Sequence, residues 1–358
     1  HYVPIEGEET RAIQELTREW VLEQDIKNFY DQQGICHVVL PERGHLSPGM
    51  FCVGGDSHSP TGGAFGAYMF GIGATEMAGV LATGEIWIKV PETILIKWTG
   101  QTDAFVTAKD MMLATCAKIG MGGGRYQAIQ YAGEAIHKLN MQERMTMSNM
   151  AAELGAQAGL ISPDETTIEY LKSVNASILD NWQNYQIEKP DPNGEVINLD
   201  ASSLSPQIAA PHSPENSADV DDFKNISFDI AYIGACTGAK YTDLMAAASI
   251  LKNRKVSSNV CLKVAPASLR DQQRAEREGI MRILEDAGAE FLPNSCGICA
   301  GYGSDRLLKE QVCISSTARN FKGRMGDPSS KVYLASPYTV AASAIAGTMV
   351  DPRDMMES

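Results

Sequence analysis

The sequence predicts an α/β fold of several domains, each with a parallel sheet flanked by helices. Short apolar runs rich in β-branched residues alternate with helical patterns along most of the chain, which is typical of βαβ units. Glycine-containing polar loops follow several of these runs directly. With 358 residues the chain is too long for one ordinary core, so two or three domains are expected.

The first section, residues 1–90, contains a polar loop directly after a predicted strand. Residues 56–63 (Asp-Ser-His-Ser-Pro-Thr-Gly-Gly) follow an apolar run. This order places the loop at the carboxyl end of a parallel strand, the edge at which α/β folds bind ligands. The elements expected here are an amphipathic helix over 8–30, buried strands over 34–40 and 50–55, and a helix of small residues over 64–84.

The second section, residues 91–200, repeats the strand–helix order. One helix opens on Thr107 with Asp110 three residues later, the order of a capping box. The elements expected are a strand over 93–98, a helix over 107–119, a helix that begins near residue 145, and a long connection between domains over 187–226.

The third section, residues 201–358, alternates most regularly. Its two cysteine motifs fall just after predicted strands, so the sheet topology is expected to bring them to one edge. The elements expected are strands over 228–233, 260–264, 290–293, 312–315 and 332–334, and helices over 242–252, 269–287 and 338–347.

The bulk composition disfavours some partners. The formal net charge is −14, which argues against nucleic acid or an anionic membrane, because both require a basic surface. No apolar run reaches the ~18–20 residues of a membrane span. A few arginines in a site can still collect a carboxylate substrate despite this net charge.

The eight cysteines indicate a reducing compartment. They are few for this length, and several lie in apolar runs, the pattern of buried thiols rather than of a disulfide framework. We therefore expect the cytoplasm. The chain begins at His1 rather than at a methionine, so an organellar matrix reached with a cleaved transit peptide stays open.

Three cysteines form the strongest candidate site. Cys296 and Cys299 are a CxxC pair in glycine-rich sequence, and Cys236 lies in a second such motif. Three thiolates can hold three corners of a cubane iron–sulfur cluster, and an iron without a fourth cysteine is a Lewis acid. A partial zinc site and buried structural thiols are the alternatives, and three cysteines alone do not separate these interpretations.

His37, Asp56 and His58 are candidates for proton transfer. A carboxylate fixes the tautomer of a histidine and makes the ring more basic. Glu153, on a helix of small apolar residues, needs a partner if it is buried. The alternatives are a hydrogen-bonded core histidine at 37, a loop-capping role for Asp56 and a solvated Glu153.

Arg319 and Arg324 follow another predicted strand. Guanidinium groups bind carboxylates through paired hydrogen bonds, so both are candidates for holding a carboxylate substrate. A basic surface turn is the alternative. Structural, surface or loop positions are expected for the other residues of these types that we considered: His45, His137, His212, Cys52, Cys116, Cys261 and Cys313.

Six stretches, in order along the chain, resemble the aconitase superfamily over essentially the whole sequence. Within it the chain is most similar to the large subunits of the isopropylmalate dehydratase and homoaconitase type. Several motifs in one order are more specific than any one of them, and they favour the cluster. The stretches are Gly-Asp-Ser-His at 55–58, Phe-Gly-Ile-Gly-Ala at 70–74, Ser-Asn-Met-Ala-Ala-Glu at 148–153, Gly-Ala-Cys-Thr at 234–237, Cys-Gly-Ile-Cys at 296–299 and Arg-Asn-Phe-Lys-Gly-Arg at 319–324.

The resemblance implies a reversible dehydration and rehydration of a hydroxy di- or tricarboxylate. Foremost is the conversion of 3-isopropylmalate to 2-isopropylmalate in leucine biosynthesis. The fourth iron of a 4Fe–4S cluster would bind the hydroxyl and a carboxylate of the substrate. The implied fold has three doubly wound α/β domains around a central cluster site, at 1–90 (N-terminally incomplete), 91–200 and 201–358.

The resemblance also implies roles for single residues. His37 with Asp56, and His58 with Glu153, would be the histidine–carboxylate pairs, and His1 matches the histidine of an Asp-His motif whose aspartate would precede this chain. The cluster ligands would be Cys236, Cys296 and Cys299, and the contacts to substrate or cluster would be Ser57, Asn149, Arg319 and Arg324.

The swivel domain of this superfamily, with its serine base and further arginines, has no counterpart in the sequence. We therefore expect a separate small subunit to complete the site, and this chain alone to be inactive. The family also has a further N-terminal stretch of the first domain before the position of His1.

Three departures bear on the substrate. Gly238 stands where asparagine is common, Lys240 replaces an arginine, and Ala318 replaces an asparagine. Maleate, dimethylmaleate or citraconate hydratases and homoaconitase therefore stay open as alternatives. A cluster-sensing RNA-binding relative is a hypothesis from a different class, which the acidic net charge disfavours; a cluster-less structural remnant is a third.

Overall fold

The fold consists of three β-sheets with helices packed around them. The structure is a computed structural model that describes residue 1 and residues 6–186 and 194–356. Its strands are β1 Phe51–Gly54, β2 Tyr68–Gly71, β3 Thr93–Thr99, β4 Ala128–Ala132, β5 Ala158–Ile161, β6 Val196–Asp200, β7 Gln207–Ala209, β8 Ser217–Asp219, β9 Ile230–Ile233, β10 Cys261–Val264, β11 Ala289–Phe291, β12 Val312–Ser315 and β13 Lys331–Ala335.

Helices cover the sheets and carry part of the site. Among the described helices, none combines the length and the hydropathy that a membrane span requires. The α-helices are α1 Glu8–Glu23, α2 Cys36–Glu42, α3 Ala74–Thr83, α4 Ala108–Ile119, α5 Glu134–Lys138, α6 Met141–Asn149, α7 Glu165–Ser173, α8 Tyr241–Leu251, α9 Leu269–Arg277, α10 Ile280–Ala287 and α11 Pro337–Ala346.

The sheets are mainly parallel, which confirms the predicted α/β class. The strand orders are β1-β2, β5-β4-β3-β6 and β11-β10-β9-β12-β13-β7-β8. In these sheets only the pairings of β7 with β13 and β8 are antiparallel. The three sheets fall in the sections 1–90, 91–200 and 201–358, which supports those boundaries as a proposal for the domains.

The run over 34–40 is a helix, so the prediction of a strand there is wrong. Helix α2 begins after Ile35, whose backbone is extended. Ile35, Val38 and Val39 are all at most 4% exposed, because their i, i+3, i+4 spacing puts them on one buried helix face. A short apolar run shows no period long enough to separate this helix from a buried strand.

The prediction of one helix over 64–84 is also wrong. A 3₁₀ helix over Ser59–Phe65 ends at Gly66, whose φ is 73°, and β2 then pairs with β1 before α3 begins. The first helix, α1, ends at Glu23 rather than at residue 30.

Two other predictions, of the connection over 187–226 and of the helix over 269–287, are corrected by the structure. Residues 194–226 contain β6, β7 and β8, which contradicts an irregular connection, although residues 187–193 lie outside the described residues. The helix over 269–287 is two helices, because Gly279 adopts φ 76° between them.

The sheet of the third section has a topological switch point at the strands that precede the site. The chain runs from β9 through β10 to β11 on one side of the sheet, whereas β12 lies on the other side of β9. Ligands of open α/β sheets bind where the strand order reverses in this way. The loops after β9 and β12 meet there, since Gly234 N donates to Ser316 Oγ at 3.0 Å.

One hydrophobic core joins the second sheet to the third. It includes Ile94 and Trp98 of β3, Met111 of α4, Tyr232 of β9 and Leu334 of β13, each at most 1% exposed. A buried side chain of this size contributes ~1.5–3 kcal/mol. The shared core therefore holds α4 firmly against the loops of the third sheet.

Candidate active site

The three predicted cysteines line one cavity of about 140 Å³. Cys236 lies in the loop after β9, next to Ala235 with φ 68°. Cys296 directly precedes a 3₁₀ helix over Gly297–Ala300, and Cys299 lies within that helix. The lining residues are His1, Asp56, Ser57, His58, Ala235, Cys236, Cys296, Cys299, Ala300, Tyr302, Ala318, Arg319 and Arg324.

The spacing of the thiols does not fit a closed zinc site. All eight cysteines are free. Among the described residues, one group of three possible metal ligands has its ligand atoms within 4.8 Å of one another, and that group does not contain the three thiols. Four ligands around zinc, with Zn–S of ~2.3 Å, place sulfurs about 3.8 Å apart. Three thiols that line one cavity at a wider spacing suit a larger, polynuclear group.

Burial keeps the three thiols protonated unless a cation binds to them. Burial raises the pKa of Cys236 to about 12 and the pKa of Cys296 well above its ordinary value, and burial also raises the pKa of Cys299. A bound cation reverses this, because coordinated thiols are deprotonated. Asn149 Nδ2 donates to Cys236 Sγ at 3.1 Å, so one sulfur already has a donor on its far side.

His37 and Asp56 form the first histidine–carboxylate pair. His37 lies in the first turn of α2 and Asp56 in the turn after β1, and His37 Nε2 is 2.7 Å from Asp56 Oδ1. Burial disfavours the charged ring, but the Cys36 thiol and the Asp56 carboxylate outweigh it and raise the pKa of His37 to about 10. His37 therefore carries a proton at neutral pH.

Asp56 is held as a carboxylate by the same contacts. Burial raises its pKa, but His37 and the backbone N–H of His58, at 2.8 Å, bring the pKa well below its usual range. The turn that carries it needs a close backbone approach, since a Cβ at Gly71 of β2 would lie 2.5 Å from Asp56 O. The glycine of the Phe-Gly-Ile-Gly stretch thus makes room for the loop that carries Asp56.

His58 and Glu153 form the second histidine–carboxylate pair, in which the histidine is neutral rather than protonated. His58 Nε2 is 3.2 Å from Glu153 Oε1, and both side chains are buried. Burial lowers the pKa of His58 despite the attraction of Glu153. Burial alone would raise the pKa of Glu153, but Arg319 and His58 lower it. His58 is therefore a neutral ring at neutral pH beside an ionised carboxylate.

Arg319 connects the second pair to the cavity. Its Nε donates to Glu153 Oε1 at 2.5 Å and its Nη1 donates to Ser57 Oγ at 2.9 Å. Arg324 is oriented by its Nε, which donates to Cys299 O at 2.9 Å. Both arginines line the cavity beside the cysteines, so they present positive charge to an anionic ligand.

The other predicted residues occupy different positions. His1 lines the cavity, its carbonyl accepts from Cys296 N at 3.2 Å, and its Nε2 is 4.0 Å from Asp56 Oδ2. Asn149 is fully buried and lies behind Cys236 rather than on the cavity wall. The predicted site residues therefore converge on one place in the fold, with Asn149, His37 and Glu153 buried behind the residues that line the cavity.

Sequence analysis missed Lys109, a buried lysine of α4. Its Nζ donates to Ser316 O at 2.9 Å, Thr317 O at 2.5 Å and Thr237 Oγ1 at 3.3 Å. Burial lowers its pKa to about 8. The one signal in the sequence was a lysine among the apolar residues of α4.

Two of the sequence departures have a structural account. Lys240 Nζ donates to Cys236 O at 3.0 Å and to Thr146 Oγ1 at 2.9 Å, so it fixes the loop of one predicted ligand. A Cβ at Gly238 would lie 2.4 Å from Ser316 O. Asparagine does not fit at 238 while Ser316 keeps its present position.

A larger groove elsewhere lacks this chemistry. It has a volume of about 1220 Å³, lies beside α3 and residues 83–92, and has no cysteine or histidine in its described lining. The small cavity, with its three thiols, two imidazoles and two arginines, is therefore the candidate active site.

Comparisons with known proteins agree with this geometry. The family described as "Aconitase family (aconitate hydratase)" matches residues 4–227 and 219–347. A 3-isopropylmalate dehydratase large subunit 1 of Methanopyrus kandleri is 43% identical over 357 residues, which is 99% of this chain and 84% of that protein. A probable methanogen homoaconitase large subunit of Methanosarcina mazei is 42% identical, over 99% of this chain and 89% of that protein.

A solved structure shares the fold. The holo-form of Thermococcus kodakaraensis aconitase X matches with a TM-score of 0.51 and 14% sequence identity, over 90% of this chain and 76% of that one. The family match covers most of the sequence, and relatives above 40% identity cover nearly all of it. The chain therefore belongs to the aconitase family.

Proposed function

We propose that this chain is the large, cluster-bearing subunit of a hydro-lyase that reversibly dehydrates a hydroxy di- or tricarboxylate. The observation that carries the proposal is the convergence of three thiols, the neutral imidazole of His58 and two arginines on one cavity, with the protonated ring of His37 held against Asp56 of the cavity wall. Relatives at about 40% identity are named 3-isopropylmalate dehydratase large subunits, which favours 3-isopropylmalate as substrate and 2-isopropylmalate as product.

The thiols of Cys236, Cys296 and Cys299 would hold a 4Fe–4S cluster. When bound, such a cluster supplies a Lewis-acid iron with an open position that polarises a substrate hydroxyl. The donor set fits, because the three cysteines line one cavity, two of them buried, and two arginines oppose the charge of the thiolate of Cys299. The reaction moves protons and hydroxide, so its catalysis depends on the acid–base groups around the thiols.

His37 is suited to supply the proton for general acid catalysis. Its ring does not line the cavity but contacts Asp56, which does, so the proton would reach the substrate through that carboxylate. The proton of His37 sits at Nε2, held by Asp56 Oδ1 at 2.7 Å, and the raised pKa of His37 keeps the ring charged at neutral pH. Hydroxide is a poor leaving group, and donation of a proton to it lowers the barrier to C–O cleavage. His58, kept neutral by burial, can hold or pass on a proton on the cavity wall, while the base that removes the C–H proton would come from the small subunit.

Arg319 and Arg324 are suited to bind the substrate carboxylates. Removal of a proton next to a carboxylate builds negative charge on its oxygens in the transition state, and preorganised cations stabilise that charge. Glu153 fixes Arg319 and the carbonyl of Cys299 fixes Arg324. Ser57 Oγ, already 2.9 Å from Arg319, supplies a further hydrogen-bonding group on the same wall.

A small subunit would complete the site. The relatives are named large subunits, and a partner that supplies a base and further arginines would close the cavity over the substrate. The eight free thiols support a reducing compartment such as the cytoplasm. A homoaconitase-type substrate is the second candidate, because the homoaconitase relative is as similar to this chain as the dehydratase relative.

The test is anaerobic co-expression of the chain with candidate small subunits, followed by a screen of hydroxyacids and their alkenes at the ultraviolet absorbance of the double bond. We expect turnover with the pair, fastest with 3-isopropylmalate, and none with the chain alone. Faster turnover of a homocitrate-type substrate would select the second candidate. Full turnover by the isolated chain, or none by any cluster-loaded pair, would refute the proposal.

A further inference from the structure

We propose that His37, Asp56 and His58 form a second metal site, which takes a divalent ion of the zinc class. We infer further that an ion bound there inhibits the enzyme. The inhibition rests on the proposed function, whereas the binding does not. The site is separate from the three thiols and contains no sulfur ligand.

The three side chains have the composition and spacing of a mononuclear site. One ligand atom from each lies within 4.8 Å of the other two, and in the part of the chain that the structure describes no other group of three histidines, cysteines or carboxylates does so. His37 Nε2 and His58 Nδ1 lie 2.7 and 3.7 Å from Asp56 Oδ1. Two histidines and one carboxylate are a familiar zinc ligand set, with metal–ligand distances of ~2.0–2.2 Å.

The contact behind His58 directs its second ring nitrogen at Asp56. Glu153 engages His58 Nε2, which leaves Nδ1 directed at Asp56. Arg319 in turn holds Glu153. A carboxylate behind a ligating histidine fixes its tautomer and orientation, and removal of such a partner typically costs 10–100-fold in metal affinity.

The charge and access of the site suit a divalent ion. The carboxylates of Asp56 and Glu153 and the guanidinium of Arg319 surround the two rings, so these side chains leave a net negative charge for an ion that displaces the proton of His37. Asp56 and His58 both line the cavity, and the side chain of Asp56 is 24% exposed, which gives an ion a route from solvent. With three protein ligands, a fourth position stays open toward the cavity, as in zinc sites that keep a water.

An ion at this point occupies the place of the proton between His37 and Asp56. The same ring atom cannot bind an ion and donate a proton. Occupancy would therefore remove the proton that His37 supplies while the thiols stay untouched, and the chain would lose activity with its cluster in place.

The binding test uses Co²⁺ as a spectroscopic probe on the full chain carrying C236S, C296S and C299S. We expect one Co²⁺ per chain, with weak visible bands and without the intense near-ultraviolet absorption of cobalt–thiolate bonds. Adding E153Q should weaken binding 10–100-fold, and adding H58A should abolish it. Adding H137A is the matched control, because the side chain of His137 is 65% exposed, and it should change nothing.

The second measurement uses the cluster-loaded wild-type chain, because the triple variant could fail to bind an ion simply by misfolding. Incubation with Zn²⁺ should leave one zinc per chain with the iron content unchanged, and the active pair should lose activity that a chelator restores. Absence of Co²⁺ binding to the folded triple variant, or binding that survives H58A, would overturn the site. Zinc binding that occurs only when iron is released would also overturn the site, because the zinc would then have replaced iron at the thiols. Binding without any hydro-lyase activity in the pair would instead refute the proposed function and leave the site standing.

Discussion

The amine of Lys109 donates a hydrogen bond of 2.9 Å to the carbonyl oxygen of Ser316, 207 residues further along the chain. The lysine belongs to α4 of the second section and the serine to the loop after β12 of the third. Ser316 also accepts from Gly234 N, at the start of the loop that carries Cys236. A single buried cation therefore fixes the two loops of the switch point to the helix beside them.

Replacement of Lys109 by methionine should loosen these loops. Methionine fills a similar space but leaves the carbonyl of Thr317 without its buried donor, which costs ~1–3 kcal/mol for an unsatisfied group, and it leaves the carbonyl of Ser316 with the hydroxyl of Thr237 alone. We expect a fall in the free energy of unfolding of that order and a lower iron content per chain after gel filtration. K118M on the exposed side of the same helix is the control, with a change within ~0.5 kcal/mol. Equal iron retention in the two variants would contradict the role given to Lys109.

The protonation of His37 predicts a pH dependence of stability. Its pKa is raised from 6.5 to about 10 in the folded chain, so between these values the folded state binds more protons than the unfolded state. Stability from this group is fully present below pH 6.5, falls as the pH rises toward 10, and has a limiting slope of ~1.4 kcal/mol per pH unit for one proton. Denaturant unfolding at a series of pH values in this window measures it.

The comparison that isolates His37 is the difference between wild type and H37Q across that window. H37Q should lack this downward slope, whereas H137Q, at an exposed position, should keep it. Parallel curves for wild type and H37Q would show that His37 carries no extra proton in the folded state.

The sequence predicted the cavity residues well because they lie in short motifs directly after strands. Cys236 and Arg319 follow β9 and β12, which are neighbours in the sheet, so strand order alone brings the two loops together. The residues that position them were not predictable in the same way. Lys109 binds backbone carbonyls, and backbone carbonyls leave no mark on the sequence pattern.

The elements that were predicted wrongly are short. Helix α2 has seven residues and β2 has four, and neither shows enough of a period to identify it. The position of His37 depends on α2, because the first turn of that helix directs its ring at Asp56. The resemblance predicted the pairing of His37 with Asp56. The helix that carries His37 became apparent only from the structure.

Arg319 should not be replaceable by lysine. Its Nε and Nη1 bind Glu153 and Ser57 at the same time, and a lysine ammonium cannot reproduce this planar fork. We expect R319K to lower kcat/KM of the two-subunit enzyme at least 10-fold, or ~1.4 kcal/mol. R125K, in an exposed pair with Glu195, is the control and should behave as wild type. Wild-type kinetics for R319K would mean that charge alone matters at this position.

The close approach of Gly238 to Ser316 predicts that even alanine is not tolerated at 238. A Cβ there would lie 2.4 Å from the backbone oxygen of Ser316, and this oxygen is also held by Lys109, so it cannot move away cheaply. We expect G238A to reduce the free energy of unfolding by ~1–3 kcal/mol, as overpacking does, and to reduce iron retention because the loop of Cys236 shifts. G79A is the control, since a Cβ at Gly79 in α3 meets nothing within 4 Å and alanine favours the helix by ~0.5–1 kcal/mol. Unfolding curves of the two variants should move in opposite directions, and a neutral G238A would show that the Ser316 loop yields readily.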